Sequence, residues 1–352
     1  MDGKQKVRIG FVGVGNMGQA AHLRHYAQVP ECEVVALAEV RPELGRQVAA
    51  KWGVPRVYTS HTEMFANEKL DGIVASQPFT RHGALVPELL ASGVPVLTEK
   101  PIAGSVEMGE KIVAAVAAAK SWMMIAYHKR SDPATMAMMG EIARLRFTGE
   151  LGKMKYVRII MPAGDWIANG FCQNIWSKEE MPGLAWDSPA SDMDKETNDA
   201  YITFVNYYIH QVNYMRHILG EPWKPVFAAD SGVQLSGVSS SGIACSLEMT
   251  PFQTSIDWQE QAFVCFEKGW LRVTLPAPLT TNRAGRLEIF RDSGGKPVTE
   301  EWQMPWVGAM WQQAKNFVAA LQGEKDSACC PAELALEDMI FAREYIRLWK
   351  GK

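Results

Sequence analysis

The run Val7-Arg8-Ile9-Gly10-Phe11-Val12 is short, apolar and almost without a polar face, which predicts a strand buried on both sides. The stretch NMGQAAHLRHYAQVP follows it with helical periodicity and stops before Pro30. EVVALAE then reads as a second strand ending at Glu39. DGIVASQP (71–78) and GVPVLTEKP (93–101) repeat the theme, each followed by a helical pattern, and SWMMIAYHKR (121–130) adds another strand. Strands alternating with helices predict a parallel, doubly wound sheet.

The pattern changes after about residue 130. GKMKYVRIIMPA reads as a strand, and residues 226–303 are β-rich, with hairpin turns at FEKGW and RDSGGKPV. Neighbouring strands joined by short turns predict an antiparallel sheet, one face of which must be covered. Within DAYITFVNYYIHQVNYMRHILGEP, the apolar residues Ile202, Val205, Ile209, Val212 and Leu219 recur at helical spacing, and Gly220 and Pro222 stop the helix. Two more helical patterns close the chain, at 306–321 and about 332–349. The fold class expected is α/β: a doubly wound parallel sheet, then an α+β domain with a large open, mainly antiparallel sheet. The boundaries expected are 1–128, 129–330 and a final helix, 331–352, packing back on the first domain.

The length of 352 residues also favours two domains over one core. Apolar residues at 47% and charged residues at 21% are ordinary for a globular protein, and a net charge of -3 gives no reason to expect nucleic acid or an anionic membrane as partner. No apolar run reaches a membrane span, and the chain leads straight into a strand with no targeting segment, so a cytoplasmic protein is expected. The six cysteines form no Cys-x-x-Cys pair and read as free or buried thiols.

The glycines decide the chemistry. Gly13, Gly15 and Gly18 stand between the first strand and the first helix, with Asn16 and Met17 in the same loop. Gly13 permits a tight turn, Gly15 lets backbone approach a pyrophosphate, and Gly18 lets the helix pack on the sheet. The helix N-terminus offers N–H groups to phosphate. Glu39, about 20 residues on, suits the hydroxyls of an adenosine ribose, so NAD is expected over NADP; Arg41, two residues later, is a cation that could serve a 2′-phosphate. Ligands of such sheets sit at the carboxyl ends of the strands, so Ser76-Gln77-Pro78 and Glu99-Lys100-Pro101 should border the cofactor. The Lys100–Pro101 bond is a candidate for cis.

GFVGVGNMG, SQPFTRHGALVPELLASGVPVLTEKP, AYHKRSDPA, YYIHQVNYMRHILGEP and FEKGWLRV together resemble the Gfo/Idh/MocA oxidoreductases, the family of glucose–fructose oxidoreductase and inositol dehydrogenase. The resemblance spans nearly the whole chain. It implies a nicotinamide cofactor held by a Rossmann domain, a sugar, glycoside or polyol substrate, and a second domain serving substrate binding and assembly. An uncovered sheet face fits a homodimer or homotetramer.

Removing a hydride from a carbinol carbon requires that the hydroxyl proton leave as well, so a general base is needed. Lys100, at the end of a strand bordering the cofactor, and His210 are the candidates for catalysis. Asn206, His210 and Asn213, at i, i+4 and i+7, share one helix face. Where the family commonly has Asp, this chain has Asn206 and Asn213, which can hydrogen-bond a sugar but carry no charge. Asp165 and Trp166, in a Trp-rich stretch, are further candidates for the substrate. The resemblance adds Arg130 as a substrate contact and His82 near the cofactor loop. His22 and His25 lack a third ligand at recognisable spacing, so no metal is expected.

The reaction expected is reversible oxidation of a ring hydroxyl. Two alternatives stand beside it: a glycoside hydrolase that uses NAD for transient oxidation, elimination and re-reduction, and a dinucleotide-binding sensor without turnover.

Overall fold

In the computed structural model, which describes residues 5–162, 164–249, 254, 256–324, 326 and 328–351, the apolar runs near the start of the chain become parallel strands. These are β1 (Val7–Val12), β2 (Cys32–Ala38), β3 (Arg56–Tyr58), β4 (Gly72–Ala75), β5 (Val96–Thr98) and β6 (Met123–Ile125). Their order is β3-β2-β1-β4-β5-β6, and every neighbouring pair is parallel. β4, β5 and β6 are buried along their whole length, as strands covered on both faces must be.

The helix after β1 opens as a π-helical turn over Gly18–Leu23 before continuing as α1 (Arg24–Tyr26). Then come α2 (Pro42–Trp52), α3 (His61–Asn67), α4 (His82–Leu90) and α5 (Val106–Ala118). The direction of strand order reverses between β1 and β4, which is where a doubly wound sheet opens a crevice. Beneath it, Tyr26 packs edge-on against Phe11 at 5.5 Å and Phe317 at 6.4 Å, and Phe317 meets Trp122 at 5.5 Å.

By internal contact the chain forms two units that are not consecutive blocks. The first runs to Tyr127 and adds Asn169–Asp194 and Gln313–Met339; the second comprises His128–Ala168, Lys195–Gln312 and the residues from Ile340.

The second unit contains α6 (Pro133–Thr148), β7 (Met154–Ile160) and α7 (Lys195–Leu219). After them come β8 (Trp223–Ala228), β9 (Gln234–Ser239), β10 (Ala244–Glu248), β11 (Glu260–Phe266), β12 (Gly269–Leu275), β13 (Arg286–Arg291) and β14 (Val298–Trp302). The last helices, α8 (Ala309–Leu321) and α9 (Ala332–Lys350), each pass from one unit to the other. The eight strands lie in the order β14-β13-β12-β11-β7-β10-β9-β8, antiparallel except for the β7–β10 pair. Of the β-rich stretch 226–303, residues 250–253 and 255 lie outside the described residues.

Alternation sorts this sheet's faces. Ala262, Val264 and Phe266 of β11 and Leu271, Val273 and Leu275 of β12 are buried, on the face that α6 and α7 cover. On the other face Phe263, Trp270 and Phe290 form a half-exposed row, 5.5 and 5.9 Å between successive rings. Among the described residues no helix is long and apolar enough to cross a membrane.

One carboxylate ties this unit together. Asp132 caps α6 by accepting from Ala134 N at 2.9 Å, and both its oxygens accept from Gly285 N at 3.0 Å. Burial pushes its carboxyl up to about 6, against the pull of these N–H donors, and the charge of Glu260 adds to the rise. The folded chain therefore binds this proton more tightly than the unfolded chain, whose value is near 3.8. Stability contributed here is full below about pH 4 and falls as pH rises to about 6. Asp132→Asn removes the titration and keeps an acceptor oxygen. The difference in unfolding free energy, variant minus parent, should rise between pH 4 and 6 and then flatten, as denaturant titrations across that range will read.

Candidate cofactor site and proton-handling residues

The glycine loop of the first unit holds two kinds of glycine. Gly13 has φ +89°, and a Cβ there would lie 2.1 Å from Gln77 Nε2 and 2.6 Å from Ser76 O. A Cβ on Gly18 would lie 2.7 Å from Gly13 O. Both are glycine because the protein's own atoms crowd them. Gly15 differs: the nearest atom to a Cβ there is Arg41 Nη2, 3.8 Å away. Nothing in the protein requires that position bare, so the open cradle fits a ligand pressed against backbone, as a pyrophosphate would be. Asn16 is exposed and Met17 half-buried beside it.

The loop is held from beneath. Gly13 N donates to Ala38 O at 2.8 Å, and Val14 N donates to Glu39 Oε2 at 2.9 Å. Glu39 is only 3% exposed, and its other oxygen accepts from Arg41 N at 3.2 Å and Arg41 Nε at 2.7 Å. The carboxylate thus braces the glycine loop and engages the neighbouring cation at the end of β2.

At the end of β4, Ser76 N donates to Val12 O at 3.0 Å, and Gln77 Nε2 donates to the same oxygen at 3.2 Å. Arg81 Nη1 donates to Gln77 Oε1 at 2.7 Å, and Pro78 is exposed. His82 is fully buried, its ring nitrogens facing Ile102 O at 3.1 Å, Gln77 O at 3.3 Å and Thr98 Oγ1 at 3.2 Å. It shapes the two loops from inside.

At the end of β5, the Lys100–Pro101 bond is cis. Lys100 is half-buried. Glu99 lies 2.7 Å from Nε2 of His22, which is buried in the π-helical turn, and accepts from Lys100 N at 3.2 Å. Burial works to raise the Glu99 carboxyl, but the hydrogen bond and charge of His22, then Lys100, hold it below its ordinary value. His25 takes another course: burial first, then the charges of Arg24 and His22, lower its imidazole to about 3, so it is neutral. Among the described residues no three His, Cys, Asp or Glu side chains converge as a metal site.

In the second unit, α7 carries His210 half-buried, its ring edge-on to that of His128 at 4.7 Å. Asn213 is completely buried, with Arg130 Nη1 at 3.5 Å from its Oδ1; Arg130 is itself 4% exposed. Asn206 is exposed, so the polar stripe descends from solvent into the core. Asp165 closes a turn, its Oδ1 accepting from Ile167 N at 3.1 Å and Ala168 N at 2.9 Å, and Trp166 beside it is half-buried.

Some of the residues that build these sites gave no signal in sequence. Lys129 Nζ lies 2.6 Å from Glu260 Oε2, and Gln211 Nε2 donates to Glu260 Oε1 at 2.7 Å; all three are buried. Lys129 and Glu260 border a small cavity that His128, Asp132 and Arg283 also line. In the first unit, Gln19 exchanges two hydrogen bonds with the backbone of Ile175, at 3.0 and 2.8 Å. Such partners lie far apart along the chain and share no periodicity with one another.

The two kinds of glycine predict opposite failures. Gly13→Ala should lower the unfolding midpoint, because the clash and the positive φ act without any ligand. Gly15→Ala should leave that midpoint nearly unchanged and weaken NAD binding by about ten-fold, a loss of about 1.4 kcal/mol. Thermal melts and calorimetric titration of NAD on both variants check this.

Comparison with known proteins covers the two units unequally. Residues 7–127 match the Gfo/Idh/MocA family model, an oxidoreductase family with an NAD-binding Rossmann fold. An inositol 2-dehydrogenase of Rubrobacter xylanophilus is 28% identical over 140 residues, 40% of this chain and 40% of that one. The rhizopine catabolism protein MocA of Rhizobium meliloti is 26% identical over 61% of this chain and 58% of its own. The chain thus spans well under two thirds of the relatives it matches. The fold extends further: an NAD binding oxidoreductase from Klebsiella pneumoniae superposes with a TM-score of 0.74, covering 99% of this chain and 98% of that one at 16% identity. The glycine cradle and the Glu-Lys-cis-Pro step both lie within residues 7–127, the segment that matches the Gfo/Idh/MocA model of oxidoreductases with an NAD-binding Rossmann fold.

Proposed function

We propose that this chain is an NAD-dependent oxidoreductase that moves a hydride between nicotinamide and a ring hydroxyl or ketone of a sugar, glycoside or cyclitol. The observation that carries the reading is the open cradle at Gly15 on the same sheet edge as Lys100, which follows β5 on a step braced by His22. The inositol 2-dehydrogenase relative supports the polyol class.

Gly13, Gly15 and Gly18 with Asn16 and Met17 cradle the pyrophosphate, and Ser76, Gln77, Pro78 and Glu99 frame the rest of the cofactor. Glu39 favours NAD, since a carboxylate repels a 2′-phosphate. When bound, the nicotinamide accepts or returns the hydride. Lys100 donates a hydrogen bond to the reacting oxygen and stabilises the charge that grows there as the proton leaves. His210 accepts that proton, the role imidazole fills near neutrality. Asn206, Asp165 and Trp166 meet the remaining hydroxyls and the flat apolar face of the ring, while Arg130 steadies Asn213.

The decisive assay incubates the protein with NAD and a panel of free sugars, inositols and aryl glycosides, reading NADH and released aglycone together. Stoichiometric NADH from a free sugar or inositol is expected, with kcat reduced by about 10²–10⁴ in Lys100→Ala and His210→Ala while NAD still binds. Aglycone released with no net NADH would replace the reading with redox-neutral hydrolysis, to which the exposed Trp176 and Trp186 are suited. NAD binding without turnover of any substrate would leave a sensor.

The half-exposed row of Phe263, Trp270 and Phe290 is assigned to contact with a second copy. Sedimentation at micromolar concentration should give a dimer or tetramer; a monomer would refute the assignment.

A further inference from the structure

Residues 169–194 form a strap across the first unit, anchored near the N-terminal ends of the helices that follow β2, β1 and β4, which are neighbours in the sheet. Asn174 Nδ2 donates to Asn16 O in the glycine loop at 3.1 Å, and Gln19 holds Ile175. Further along, Asp187 accepts from Gly83 N at 2.9 Å and Ala84 N at 3.0 Å, the first turn of α4. Between these anchors lies Glu179. Its two oxygens accept from Glu43 N at 3.0 Å and Leu44 N at 2.8 Å, and Ser177 Oγ donates to it at 3.0 Å.

The place of this contact matters more than its strength. The residue before α2, Arg41, makes no side-chain cap, so the helix's first N–H groups are answered by a carboxylate from more than 130 positions away. α2 follows β2, whose end carries Glu39 and Arg41. In a dinucleotide-binding sheet this is where the adenosine ribose lies, and where a helix N-terminus and a nearby Arg would receive a 2′-phosphate. Here both receivers are engaged. Glu179 sits on the N–H groups, and Glu39 holds Arg41 through its Nε at 2.7 Å. A phosphate arriving at this corner meets two carboxylates and one cation already paired.

We propose that Glu179 of the strap is a specificity-determining residue that excludes NADP by occupying, as an internal carboxylate, the anion site at the start of α2. The inference deepens the NAD reading and rests on it. Hydrogen bonds from Glu43 N, Leu44 N and Ser177 keep the Glu179 carboxyl below its ordinary value in spite of the cost of its burial, so it is ionised at neutral pH. The uncharged ribose hydroxyls of NAD need no helix N–H groups and suffer no such repulsion.

The test measures dissociation constants of NAD and NADP by calorimetry on the full chain, for the parent, Glu179→Gln, Glu179→Ala and Asp187→Asn. Asp187→Asn loosens the strap at its other anchor and leaves the corner at α2 intact. The parent should prefer NAD. Glu179→Ala should tighten NADP by about ten-fold, the order expected for an anion newly placed at a helix N-terminus, with NAD changed by less than about threefold. Glu179→Gln, which keeps an acceptor and loses the charge, should move the ratio the same way by less. Asp187→Asn should leave it alone. If the parent binds NADP as tightly as NAD, the NAD reading itself fails. If the parent prefers NAD but the Glu179 variants keep the parental ratio, or Asp187→Asn shifts it equally, only the role of Glu179 is overturned. Melting curves of all four proteins separate any loss of folding from a change of selectivity.

Discussion

Parallel strands impose one constraint on which the first unit depends: every strand ends, and every following helix begins, on the same edge of the sheet. That edge collects unsatisfied N–H groups and the positive ends of helix dipoles. The chain answers several of them with its own side chains: Ser60 and Ser105 cap α3 and α5, and carboxylates take others. Glu39 takes Val14 N, Glu179 takes the start of α2, and Asp187 takes the start of α4. The first helix receives no such side-chain carboxylate, and it is the one that Gly15 leaves open. The helix starts on this edge thus differ in whether the protein's own side chains fill them.

Local pattern made much of this architecture readable. The buried strands, the hairpins and the long helix α7 follow hydrophobic period and turn chemistry, which neighbouring residues carry. The short strand β3 and the helix α6 were not legible, since Arg56–Tyr58 is too brief for a period and the polar and apolar residues of Pro133–Thr148 scarcely separate into faces. The glycine spacing named the cradle. It did not tell which glycine faces ligand and which faces protein, because that depends on Gln77 and Ser76, more than sixty positions away. The strap was equally hidden. Its anchors are side chains meeting backbone across long separations, and a Trp-rich irregular stretch carries no sign of the helices it caps.

Departures from the family pattern take different meanings once burial is known. Asn213, where the resemblance led to an expectation of Asp, is wholly buried, with the guanidinium of Arg130 3.5 Å away. A carboxylate there would need full compensation for its lost hydration, whereas an amide needs only hydrogen bonds. The neutral residue is therefore the cheaper occupant of that core position, and its identity reports on packing. Asn206 is exposed, so no cost of burial governs it. The difference between Asp and Asn there is one of charge at the surface, not of burial.

Connectivity gives the strap a second consequence. It begins directly after the Asp165 turn, where Ala168 and Asn169 take positive φ of 45° and 61°, and it ends at Asp194, where α7 starts with Lys195. Positive φ at two successive non-glycine residues is a local cost that the Asp165 hydrogen bonds offset. The helix bearing His210 is thus covalently continuous with the segment that caps α2 and α4. A ligand that displaced Glu179 or Asp187 from those helices would have to move a segment held at both ends by short, turn-fixed connections. Uncharged groups such as hydroxyls make no demand on those N–H donors, so it is an anion, competing for the same donors, that would meet the resistance of the strap.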